Sequence, residues 1–222
     1  MSRLQEWQEQ LKLVFEKKTS DAFIPPVLFF LINQWLSLEI ASLVTFIYLV
    51  GLIVYRKVKQ DPGKYAYVGV VGVLLSIGLS LLSGEAIDFY LPDLITTGGI
   101  VLICFGSLVI HRPIAALLSH LTRGWPLDWY KRQDIAPAYK YATIIWGSYF
   151  LFRLIVQSYF YFTDQFSSYF FFNTLLGMPM TIVMLIGSYV VGVKTLKKLN
   201  GPSVEEFNNG DTPPYEGQQH GF

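Results

Sequence analysis

Of the 222 residues, 52% are apolar and only 15% charged, against the roughly 25% charged usual for a soluble domain. With a mean hydropathy of +0.40 and apolar residues gathered in long blocks, this composition excludes an ordinary soluble globule and defines an all-α polytopic membrane protein. The net charge of +1 says nothing about partners, and a single cysteine, Cys104, excludes an internal disulfide and a cysteine-based metal site.

Residues 1–20 read as an amphipathic interfacial helix. Leu4, Trp7, Leu11 and Val14 recur at spacings of three and four, with Arg3, Glu6, Lys12, Lys17 and Lys18 around the rest of the barrel. The same pattern suits a helix packed on the protein's own loops. The segment lacks the continuous apolar core and small-residue cleavage site of a signal peptide and is expected to be retained.

A six-span domain is expected over residues 21–193. The apolar stretch 23–55 is too long for one crossing and is interrupted by "NQWLSLE", so it divides into spans at 23–36 and 40–55. Pro25 and Pro26 are expected in the first turn of the first span, where a missing N–H costs little. After the polar "RKVKQDPGK" the third span, 65–82, carries a small-residue edge at Gly69, Gly72, Ser76 and Ser80 that suits close helix packing. An acidic loop leads to the fourth span at 94–110.

Residues 111–138 form a long connection. Ile114, Leu117, Leu118 and Leu121 suggest a short amphipathic helix, and Trp125 and Trp129 beside Lys131 and Arg132 read as interfacial anchors, like Trp7. The fifth span is 139–162 and the sixth 169–193. From 194 to 222 three lysines give way to a stretch rich in Gly, Pro, Asn and Gln without apolar period, which predicts a basic, then disordered tail.

On this plan sixteen of the seventeen Lys and Arg residues fall on one side of the membrane. The other side holds only acids: Glu39, Glu85, Asp88, Asp93 and Asp164. The positive-inside rule then puts both termini in the cytoplasm.

The seventeenth basic residue is Arg153, in the apolar run "FLFRLIVQSYF". It lies about 13 Å from the outer end of its span, at 1.5 Å per residue, where an isolated charge costs several kcal/mol. Tyr149 and Gln157 share its helical face, while Ile144, Leu151, Ile155 and Phe162 occupy the opposite one, so the polar face is expected to point into the bundle. A counter-charge is expected from another span, with Glu39 first and Asp93 second, and Asn33 and Gln34 completing the network. Arg153 is then either a buried strut that pins helix register or a group that meets an anionic lipid or solute.

No nucleotide-binding loop, hydrolase elbow or zinc-protease motif is present, so no catalytic residue, metal site or cofactor is expected. His111, His120 and His220 lack metal-ligand spacing. The basic residues are those that orientation requires, which leaves no basis for nucleic-acid binding. The N-terminal helix, the 111–138 helix and the lysines of the tail would form a basic collar favouring anionic headgroups of membrane lipids.

"FIPPVLFFLIN" at the first span and "SLVIHRPIAALLSHLTRGWP" leaving the fourth resemble bacterial intracellular septation protein A and, more closely, its six-span relatives. The resemblance covers about residues 23–193. It implies a multi-pass protein of the bacterial inner (plasma) membrane, linked to cell division and envelope synthesis, with no enzymatic activity and acting through contacts with other inner-membrane proteins. The expected function is therefore a non-enzymatic organiser of partners. A small transporter or channel for an anionic solute or lipid, with Arg153 in its path, is the alternative.

Overall fold

The computed structural model describes residues 18–59, 64–218 and 221–222, and what the sequence predicts for residues 1–17, Trp7 included, lies outside them. Among the described residues every regular element is helical. The described residues divide into two compact units, those up to Asp93 with 164–170, and those from Leu94 to Thr163 with those from Phe171 on.

In the first unit α1 (Lys18–Trp35), α2 (Leu38–Val58) and α3 (Lys64–Ser83) pack together, and a 3-10 turn, Ala86–Tyr90, packs on α3. α1 begins before the apolar run does, because Lys18-Thr-Ser-Asp continues its helix outward. Pro25 and Pro26 therefore lie inside α1 and not in its first turn, and their missing amides deprive the carbonyls of Asp21 and Ala22 of helical partners. Ser37 breaks α1 from α2 by capping the latter, its hydroxyl accepting from the amide of Ile40. The interior is aromatic. Phe29, fully buried, stacks on Phe89 at 4.0 Å between centroids, Phe30 on Phe170 at 3.9 Å, and Tyr90 on Tyr169 at 4.7 Å.

The outward residues of α2 are also apolar. Leu43, Phe46, Ile47, Val50 and Val54 are exposed while Ala41, Ser42, Thr45 and Leu49 face inward. Such a helix has its larger apolar residues on the side away from the core, the arrangement that lipid favours and water opposes. Among the described residues three helical stretches, Leu38–Val58, Ala86–Val109 and Phe166–Leu199, are long and apolar enough to cross a membrane.

The second unit is built around α7 (Ala136–Phe162), 27 residues long and so about 40 Å. α4 (Leu91–Val109) enters this unit from Leu94, and Gly147 lets α7 approach it: a Cβ there would lie 3.2 Å from Cys104 and 3.3 Å from Phe105. The short helices α5 (Ile114–Arg123) and α6 (Leu127–Tyr130) follow, and α5 packs on α7. The last apolar stretch, expected as one span, is two helices, α8 (Phe166–Leu175) and α9 (Met178–Leu199). Pro179 explains the break, since it has no amide to offer the carbonyl of Leu175. Gly177, whose own Cβ would lie 2.9 Å from the carbonyl oxygen of Asn173, permits the tight turn.

The tail differs from the sequence reading. Beyond α9, a short helix α10 (Val204–Asn209) forms on a capping box in which Ser203 accepts from the amide of Glu206 and Glu206 accepts from the amide of Ser203. Val204, Phe207 and Phe222 pack on a buried cluster of Trp129, Tyr130, Ile135, Tyr139 and Leu196. Tertiary burial thus orders a segment whose composition alone predicts disorder.

Candidate functional site

α7 carries a line of polar groups along one face, Trp146, Tyr149, Arg153 and Gln157, spaced at three or four residues so that they lie above one another. Tyr149 and Gln157 are buried, whereas Leu151, Ile155 and Phe162 are exposed. Each polar group meets a partner on α8, α9 or the break between them. The Arg153 guanidinium donates through Nη2 to Asn173 Oδ1 at 2.8 Å, and Gln157 Nε2 donates to the same oxygen at 2.8 Å. The Tyr149 hydroxyl donates to the carbonyl of Leu176 and lies 3.2 Å from the Thr181 hydroxyl. Trp146 Nε1 donates to Ser188 Oγ at 3.2 Å.

Asn173 is thus the acceptor on which two side chains converge. It holds a guanidinium and an amide in one place and ties α7 to α8 close to the break. Low-dielectric surroundings strengthen such bonds and penalise any donor left without one. The arrangement can fix helix register, and it puts several polar atoms beside an interrupted helix.

The remaining residues expected in the polar network belong to the first unit. Gln34 Nε2 donates to Ser167 Oγ at 2.6 Å, and Asn33 is half-buried on the same helix. Glu39 is exposed in the first turn of α2, and Asp93, half-buried, is in the first turn of α4. Sequence reasoning missed Asn173, Thr181 and Ser188. A lone amide within "FFFNTLL" was the available signal, the same kind that marks Arg153.

A second polar assembly forms where the 111–138 connection meets the tail. Trp129, read from the sequence as a membrane anchor, is instead fully buried, and its Nε1 donates to the carbonyl of Pro202 at 2.9 Å. Trp125 is partly buried against the same cluster, with the Arg123 guanidinium 5.0 Å from its ring. Arg132 forms a two-point pair with Asp134, at 2.9 and 2.7 Å, and lies over Phe207 and Tyr215. That pairing raises the Arg132 pKa. Glu206 is held below its ordinary carboxylate value, first by the backbone amide of Ser203 and also by those of Glu216 and Gly217.

Helices of this length and apolarity, with polar side chains joined across them, define an all-helical protein of the membrane-protein class. The chain belongs to the family described as Protein of unknown function (DUF3159), whose profile matches residues 18–199. No curated protein matches it. No solved structure matches it either.

Proposed function

We propose that the chain is a six-span protein of the bacterial inner membrane, both termini cytoplasmic, that organises partner proteins in envelope biogenesis or division and catalyses no reaction itself. The observation that carries this reading is the convergence of Arg153 and Gln157 on Asn173. These intramembrane polar groups are engaged in joining helices, as in a strut. The basic residues on one side of the six-span plan support the orientation. The tail folded over Trp129 and Tyr139 supports a preformed cytoplasmic surface for partners, and the resemblance to septation protein A supports the process.

Capture of the full chain from its native membrane in mild detergent, wild type beside Arg153→Leu, tests this reading. Envelope or division proteins recovered with the wild type support it. A partner-free protein that retains an anionic solute only when Arg153 is present overturns it.

One observation favours a second reading, transport. The last apolar stretch is broken at Leu176–Gly177, and transporters place interrupted helices and polar side chains at their binding sites.

A further inference from the structure

α5 is a ten-residue helix whose apolar and small faces are arranged for lipid. Its small residues Ala116 and Ser119 are buried against the protein, and Ser119 Oγ accepts from the Tyr130 hydroxyl at 3.0 Å. Its leucines point the other way: Leu117, Leu118 and Leu121 are 44%, 54% and 69% exposed. A helix facing water has the reverse pattern.

The level of α5 is fixed by its first turn. The amide of Ile114 donates to Ser107 Oγ at 3.0 Å, and the amide of Ala115 to Thr143 Oγ1 at 3.2 Å. Two of the N–H groups that a helix start leaves without partners are therefore held by side chains of α4 and α7. Ser107 is in the last turn of α4, whose final residue Val109 and the following Ile110 are themselves 76% and 66% exposed. α5 thus starts level with the last turn of an apolar helix long enough to cross a membrane.

One exposed arginine, Arg112, stands just before the first turn of this helix, whereas Arg123 lies on the side of Ala116 and Ser119 with its guanidinium over Trp125. The nearby acids are engaged elsewhere, Asp128 with Lys131 at 2.7 Å and Asp134 with Arg132 at 2.7 Å. We propose that α5 is a docking surface for an anionic phospholipid leaflet, with Leu117, Leu118 and Leu121 among the acyl chains and Arg112 on a headgroup phosphate. The level of α5 with the end of an apolar, membrane-length helix and the positive charge of exposed Arg112 select an acidic bilayer over a protein groove. The inference rests on the chain being a membrane protein and not on its role as an organiser.

The test uses the full chain in a Cys104→Ala background, reconstituted in phosphatidylcholine bilayers with and without phosphatidylglycerol. Nitroxide labels go on Leu118→Cys, Leu121→Cys and, as the aqueous reference, Lys131→Cys. Labels at 118 and 121 are expected to be accessible to oxygen and shielded from a water-soluble nickel reagent, with 131 the reverse. Nickel access at 118 and 121 equal to that at 131 overturns the docking surface.

Native mass spectrometry of the wild type from mixed bilayers is expected to retain phosphatidylglycerol over phosphatidylcholine. In Arg112→Gln that preference should fall by roughly fivefold, the effect of one basic residue at a surface. An unchanged preference in a variant that still folds overturns the headgroup assignment. Failure of the organiser reading would leave both readouts untouched.

Discussion

The Tyr149 hydroxyl donates to the carbonyl of Leu176, in the break between α8 and α9. Irregular backbone at membrane depth is tolerated only where its polar groups are satisfied within the protein, and Tyr149 supplies that satisfaction from the neighbouring helix. The break and the polar face of α7 are in this sense one feature. Tyr149→Phe should lower thermal stability in detergent by about 1–3 kcal/mol, the cost of leaving a buried carbonyl without its donor. A melting temperature equal to that of the wild type would show that the carbonyl finds another donor.

Gly177 is the other half of the break. A Cβ there would lie 2.9 Å from one backbone carbonyl and 3.2 Å from the next, Asn173 and Thr174, neither of which a rotamer change relieves. Gly177→Ala should therefore cost about 1–3 kcal/mol, measured as folded yield and thermal unfolding. At Gly187, where a Cβ meets nothing within 4 Å, the same substitution should be nearly silent.

The folded tail makes a prediction for Gly201, where a Cβ would lie 2.8 Å from Ile135 Cδ1 and 2.9 Å from the carbonyl of Asp134. Gly201→Ala should lift the tail from Trp129. Limited proteolysis within residues 204–218 should then accelerate about tenfold, the equivalent of a loss near 1.4 kcal/mol, with a red shift of tryptophan emission. Unchanged cleavage would mean that docking does not depend on this close approach.

Tail docking should also depend on pH. Glu206 has a lowered pKa in the folded chain, chiefly through the amide of Ser203. Its contribution is therefore complete above the ordinary glutamate value of about 4.3 and is lost as pH falls through the lowered folded value. Tryptophan emission followed by acid titration should show this loss, and Glu206→Gln should abolish that part of the profile. An identical titration in the variant would assign the acid response to other groups.

How far the sequence carries can be seen at three places. Arg153 announces the polar face of α7, because a lone charge among apolar residues needs partners whatever the fold. Asn173 is harder to pick, since an amide among phenylalanines costs less to bury and gives no hint of which helix it meets. The tail was legible in one detail, the Ser203-Val-Glu-Glu206 start of a capping box, yet its docking depends on tertiary burial. Phe222 stacks on Tyr139 at 4.5 Å between centroids, and its ring fills the space that a Cβ on Gly192 would need. Trp129 fails as a membrane anchor for the same reason, because interfacial composition does not reveal that another part of the chain will cover a residue.

The strut itself is tested most directly by a double-mutant cycle on Arg153 and Asn173. Thermal unfolding in one detergent would be compared for wild type, Arg153→Leu, Asn173→Leu and the double variant. A strut gives strongly non-additive losses, with the double variant little worse than the poorer single one and a coupling of about 1 kcal/mol or more. Additive losses, or stability unchanged in all three variants, would contradict it and return Arg153 to the transport reading.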